Sequence, residues 1–356
     1  MCTVEDPRPI CLDCVEPFEI VPELTPLTAD RRGFLKTAAG VTAGIGALGI
    51  LNGNAIGEEK KKAKAEKPAE ALIKELFSTL SDDQKSKITL PWDHGAKKGR
   101  TATRLGMYNR PYGNQRIDQH YTKPQQELVN RILHAICSDD DGFRRISRDG
   151  EWDSTGAFER CGSHIFGDPS GDEPFAWLFT GHHLTVRCDG NSLPGAAFGG
   201  PVYYGHLEHG YSKHNVFNYQ TKSAMAVFES LNPAQQKQAI ADGTPGEKAK
   251  SIRLHGKDQK RPGIDVGDLS ADQRKLVDKV MRDVLSPYRK EDVDEVMEIV
   301  KANGGMDEMH LAFYADKDRP QEGEPWHFWR LDGPGFVWNF RVLPHVHCYV
   351  NIAKVG

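Results

Sequence analysis

Two histidines one residue apart, in Pro344-His345-Val346-His347-Cys348-Tyr349-Val350-Asn351-Ile352, are the side chains of this chain best placed for chemistry. The segment reads as a strand, and strand side chains alternate between faces. His345, His347 and Asn351 then share one face, with Val346, Cys348 and Val350 on the other. Two neighbouring imidazoles can take one divalent ion at about 2.0–2.1 Å each. Before the proline, Phe336, Trp338, Phe340 and Val342 alternate with Asn339 and Arg341, which brings Arg341 near the same polar face. A further histidine comes from Gly181-His182-His183-Leu184-Thr185-Val186-Arg187-Cys188. Read as a strand, this segment groups His183 with Thr185 and Arg187, and His182 with the apolar set. His183 is the expected partner of His345 and His347, and His182 a core histidine; a bulge at Gly181 would exchange them. Three histidines with one open position suit a catalytic zinc, copper or iron ion.

Tyr203–Tyr211 adds His206, Glu208 and His209 on what its glycines mark as a loop. His206 is a candidate further ligand and Glu208 a candidate general base. Arg187 and Arg341 are candidates for holding an anionic substrate group through a bidentate contact. Asp139-Asp140-Asp141-Gly142 lacks the distal Glu of a calcium loop and reads as a turn. No GxSxG, HExxH or phosphate-loop signature is present.

The elements that must position these residues are legible from periodicity. Leu72, Ile73, Leu76, Phe77 and Leu80 line one face of a helix over Ala69–Leu80. Further helices are expected at Pro124–Ile136, Gln220–Leu231, Ala271–Leu285 and Glu291–Ala302. Three helix starts share one device, a cap followed by a glutamine three residues later: Ser81…Gln84, Asn232…Gln235 and Ser270…Gln273. The C-terminal part reads as a meander of strands at Met309–Ala315, Trp326–Leu331, Phe336–Leu343 and His345–Ile352, with a turn at Gly333-Pro334-Gly335. Helices and antiparallel strands in separate blocks predict an α+β fold: helices in the N-terminal and middle parts packed on a mostly antiparallel sheet.

Asp30-Arg31-Arg32-Gly33-Phe34-Leu35-Lys36 precedes a weakly hydrophobic run at 38–51, rich in Gly and Ala. Twin arginines before such a run resemble a twin-arginine (Tat) export signal, and the run is too short for a permanent membrane span. The expected organisation is a signal at 1–55, a charged linker at 56–68 and one domain at 69–356. That implies the Tat export machinery as a partner and a periplasmic or extracellular location. Because the Tat route carries folded proteins, often loaded with a cofactor, it agrees with a bound metal. Lys/Arg and Asp/Glu nearly balance from residue 56 onward, which gives no reason to expect nucleic acid as a partner. Cys137, Cys161, Cys188 and Cys348 could pair in an oxidising compartment but are too few to form a disulfide framework.

Phe166-Gly167-Asp168-Pro169-Ser170, Trp177, Gly181-His182-His183-Leu184, the three cap-and-glutamine starts and Pro344-His345-Val346-His347 together resemble the bacterial domain of unknown function 3500 family, in a form common among planctomycete-type exported proteins. The resemblance covers roughly residues 70–352 and implies an exported family member with no assigned activity. The residues themselves point to a metal-dependent enzyme acting on a small or anionic substrate. The alternative is a non-catalytic extracytoplasmic ligand-binding protein.

Overall fold

A computed structural model describes residues 19–20, 68–98, 100–315, 320–321 and 323–355. The expected signal and linker lie outside these residues, apart from β1 (Glu19–Ile20) and Pro68. The first half of the domain contains α1 (Pro68–Thr79), α2 (Asp82–Ile88), β2 (Thr89–Leu90), β3 (Met107–Tyr108), α3 (Ile117–His120), α4 (Lys123–Ile136) and α5 (Asp140–Ser147). Its meander is β4 (Gly162–Gly167), β5 (Phe175–Gly181), β6 (Leu184–Cys188) and β7 (Val202–His209). The second half contains α6 (Asn218–Ser230), α7 (Pro233–Ala239), β8 (Ile240–Ala241), β9 (Ile264–Asp265), α8 (Ala271–Leu285) and α9 (Lys290–Ala302). Its meander is β10 (His310–Tyr314), β11 (Phe328–Gly333), β12 (Phe336–Arg341) and β13 (His345–Ile352). The fold is α+β.

The large sheet runs β2-β4-β5-β6-β7-β13-β12-β11-β10-β8, with β9 also on β10, while β1 pairs with β3 apart from it. The order reads alike from both edges. Each half brings one short parallel strand to the edge, β2 on β4 and β8 on β10, and the halves meet antiparallel at β7–β13. Val202 lies opposite Val350 at the centre, so a local two-fold relates the halves. Trp177 and Trp329 take equivalent places, each opposite an apolar residue of its neighbouring strand.

The recurring glutamines explain how the helix layer is tied. Gln84, Gln125, Gln235 and Gln273 each accept a bond from the N–H of the cap residue three positions earlier. They also meet in pairs: Gln84 donates to Gln125 at 2.7 Å, and Gln273 to Gln235 at 2.9 Å. One amide thus closes its own helix start and fastens a second helix, once in each half. The pair at Thr122 and Gln125 is a fourth such start. Asp139 accepts from the N–H of Gly142 and opens α5, so the acidic run read as a turn is a helix N-terminus.

Helices cover one face of the sheet and bury Val346, Cys348 and Val350 with Phe336, Trp338 and Phe340. The other face is crossed by irregular segments around residues 91–116 and 242–262. Side chains tie them down: Arg187 donates to the carbonyls of Arg104 and Gly106, Asn339 to Gly246, and Asn351 to Ile252. The four described cysteines are buried free thiols. Among the described residues, no helix is long and apolar enough to cross a membrane.

His164, on β4, is buried edge-on against Tyr112, and burial, with His120 and His94 adding to it, lowers its pKa to about 4. An unfolded histidine protonates near pH 6.5, so between pH 6.5 and 4 the unfolded chain binds the extra proton and stability falls with pH. The shift corresponds to about 3 kcal/mol over that window. Chemical denaturation across it should show wild type losing that order of stability relative to His164→Phe as pH falls. A pH-independent difference would contradict the assignment.

Candidate metal centre

β5 ends at Gly181 and β6 begins at Leu184, so His182 and His183 form the two-residue turn of a hairpin. The expectation of a strand through both histidines is therefore corrected. Turn geometry, not strand alternation, aims His183. Its backbone is left-handed, with φ 50, and its N–H donates to Asn109 Oδ1 at 2.8 Å. A non-glycine residue held there is costly unless its surroundings fix it.

Asp153 arrives from a segment with the same property: Arg148, Asp149, Trp152 and Asp153 all have positive φ. Its Oδ2 lies 2.5 Å from His183 Nδ1. The expected loop around His206 is instead strand β7, interrupted by a bulge. His206 pairs with Val346 but His209 with His345, which leaves Leu207 and Glu208 out of the ladder. The bulge turns the Leu207 N–H onto the Asp153 carboxylate, 3.2 Å from each oxygen.

On β13, His345 and His347 point to the face away from the helices. Arg341 lies directly across from His347 on β12. His347 Nδ1 is 2.7 Å from Glu247 Oε1, and the same carboxylate accepts from Tyr349 at 3.2 Å and from Arg341 at 2.8 Å. Gly205 sits opposite His347 on β7. A Cβ there would come 2.3 Å from the Val346 carbonyl oxygen and 3.2 Å from both His183 and His347, so only glycine lets the rings meet.

Three ring nitrogens converge. His347 Nε2 lies 3.0 Å from His183 Nε2 and 3.0 Å from His345 Nε2. His183, His345 and His347 are 0%, 4% and 4% exposed as whole residues. Burial holds the pKa of His183 and His347 well below the ordinary value and lowers that of His345 to about 4, so all three are neutral at pH 7. Burial alone would raise the Asp153 pKa, but the His183 and His182 rings and Arg148 outweigh it and keep Asp153 ionised.

A neutral imidazole carries one proton. Asp153 takes it on Nδ1 of His183, and Glu247 takes it on Nδ1 of His347. Both Nε2 atoms then present lone pairs to each other at 3.0 Å, with no proton of their own between them. A cation between them resolves that repulsion. On the His345 side of the cluster Arg341 supplies one, its terminal nitrogen 2.9 Å from His347 Nε2 and 3.0 Å from His345 Nε2. A metal ion would supply another. Nitrogens bound at 2.0–2.1 Å around a tetrahedral ion stand about 3.3 Å apart, so His347 need separate from each of the other two rings by only a few tenths of an ångström. Imidazoles whose far nitrogens are held by carboxylates are the arrangement found around bound metals.

A model of the family described as protein of unknown function (DUF3500) matches residues 61–351. The chain belongs to the DUF3500 family. No curated protein and no solved structure matches it.

In this DUF3500 protein Arg187, His206 and Glu208 lie apart from the three nitrogens, and His182 lies beside them. Arg187 is buried with its guanidinium spent on backbone carbonyls of the 91–116 segment. His206, opposite Val346, accepts from the Val216 N–H through Nδ1. Glu208 is exposed in the bulge. His182 accepts from the Ser154 N–H, lies 3.4 Å from Asp153 and packs on the His183 ring, so it borders the centre. A second potential ligand group, Asp153, His182 and His183, shares two residues with the acid–histidine pair already described.

Asp153, Glu247, Asn109 and Gly205 carried no motif in the sequence. The two-fold repeats the strands but not the ligands. The strand registers place Gly335 where His183 would recur, and Ala197 and Gly199 where His345 and His347 would. Among the described residues, the three-histidine cluster therefore has no copy at the equivalent positions of the other half.

Proposed function

We propose that this DUF3500 protein is an exported metal-dependent enzyme whose ion is held by His183, His345 and His347. One observation carries the reading: Nε2 of His183 and of His347 meet at 3.0 Å while a carboxylate lies against the far nitrogen of each ring. Three imidazoles suit zinc, copper or iron. Such an ion lowers the pKa of a bound water towards about 7, which makes a nucleophile for hydrolysis; copper or iron would serve redox chemistry instead. Asp153 and Glu247 orient the rings and fix their tautomers. Arg341 is the group for an anionic part of the substrate.

A second reading, a non-catalytic extracytoplasmic ligand-binding protein, is favoured by Arg341 itself. Its terminal nitrogen lies 3.0 Å from His345 Nε2 and 2.9 Å from His347 Nε2, so its own N–H groups can satisfy both rings.

Elemental analysis of protein purified from the exported fraction, without a metal-binding tag, separates the readings. The enzyme reading expects one equivalent of a transition metal, lost in folded His345→Ala and His347→Ala. Substoichiometric metal unchanged by either substitution would favour the binding protein. Export itself rests on Arg31 and Arg32. Replacing both with lysine should leave precursor in the cytoplasm, as followed by fractionation. Export at the parental level would remove the Tat assignment.

A further inference from the structure

We propose that Arg341 is an internal cation that a metal ion must displace, and that its displacement creates the oxyanion-binding group of the site. This rests on the metal reading above. The Arg341 terminal nitrogen is within 3.0 Å of both His345 Nε2 and His347 Nε2. Each imidazole nitrogen has one in-plane lone pair, which cannot serve an N–H and a metal together. An ion 2.0–2.1 Å from those nitrogens would also sit well inside contact distance of a guanidinium of like charge. Occupancy is therefore exclusive: either Arg341 or the ion holds the lone pairs.

The displaced side chain has a defined place to go. Its other terminal nitrogen already pairs with Glu247 Oε2 at 2.8 Å, and Glu247 sits on the irregular 242–262 segment rather than in the sheet. Arg341 can keep that partner while its freed edge turns from the rings. With Nε on the His345 carbonyl at 3.3 Å and one terminal nitrogen on Glu247, the other terminal nitrogen is freed with both its N–H donors beside the ion, where they can take a carboxylate or phosphate oxygen. Metal binding then switches Arg341 from a donor to histidine into a receptor for an anion. Metal-free protein should consequently bind such anions poorly.

Zinc titration calorimetry on full-length wild type and Arg341→Gln tests the exclusion. If the arginine-occupied form dominates by about ten to one, removing it tightens zinc binding about tenfold. A purely structural arginine predicts the opposite, because its loss would disorder the histidines. Equal or weaker binding by the variant overturns the inference and leaves the metal reading standing. Binding by neither protein overturns both. Zinc bound by the variant and not by wild type would be the extreme form of the expected result.

Should Arg341→Gln fail to fold, the wild-type guanidinium resonances give the same answer. The protons of the Arg341 terminal nitrogen that faces His345 and His347 should be resolved without zinc and averaged with it, while those of the nitrogen on Glu247 stay put; resonances unchanged at saturating zinc would refute displacement. Formate is the probe for the second half. It should bind zinc-loaded wild type, and at least about tenfold more weakly both metal-free wild type and zinc-loaded Arg341→Gln. Equal formate binding by all three would rule out Arg341 as the anion receptor.

Discussion

His183→Ala lowers zinc affinity by at least about a hundredfold, whereas His182→Ala leaves it within about threefold. The two residues are adjacent in one turn, and only their surroundings separate them. His183 is fully buried, gives its Nδ1 proton to Asp153 and aims Nε2 at His347. His182 uses Nδ1 to accept from the Ser154 N–H, and its ring lies against His183. Losing His182 costs one hydrogen bond and some packing, about 1 kcal/mol of stability. Calorimetric titration of both variants, with thermal melts as a control for folding, checks the contrast. Equal loss in both would mean that His182 is a ligand as well.

Asp153 is predicted to matter as much as a ligand without touching the ion. Asp153→Asn keeps the shape but loses the charge that holds the His183 proton on Nδ1. The competing tautomer would place that proton on Nε2 and block the lone pair. Affinity should fall about 10–100-fold, the range for partners that orient a ligating histidine. Asp153→Leu removes the acceptor of both the His183 ring and the Leu207 N–H in a buried setting. That leaves two unpaired donors and should cost about 3–5 kcal/mol, measurable by denaturant unfolding. Wild-type affinity in Asp153→Asn would show that the carboxylate does not set the tautomer.

What could be read from the chain depended on how local the cause was. β13 was legible because its period of two puts His345 and His347 on one face with apolar partners on the other, and the proline marks its start. The helix starts at Ser81, Asn232 and Ser270 were legible because cap and glutamine lie within one turn. Their pairing across helices was not, since nothing in Gln84 names Gln125.

The two-fold is nearly silent in the sequence. Trp177 donates to Ser163, while the equivalent of Ser163 beside Trp329 is Leu311, so each half has settled its own contacts. His183 meets His345 and His347 as expected, but not for the expected reason: it is a left-handed turn residue, which does not obey strand alternation. Asp153 and Glu247 were missed for a related reason. One comes from a run of left-handed residues and the other from a segment with no ladder bonding, and neither leaves a periodic signal. Arg187 and Arg341 looked alike as strand arginines on the faces of the candidate histidines. Only the tertiary structure shows that one anchors backbone carbonyls and the other meets histidine nitrogens.

The central claim is that one ion is held by these three rings. A crystal of the zinc-loaded protein, with anomalous data collected on both sides of the zinc edge, tests it most directly. The account predicts one anomalous peak per chain, about 2.0–2.1 Å from Nε2 of His183, His345 and His347, with the Asp153 and Glu247 carboxylates still on the opposite nitrogens. A zinc-saturated crystal with no peak among the three rings, or with its peak at other residues, would contradict it.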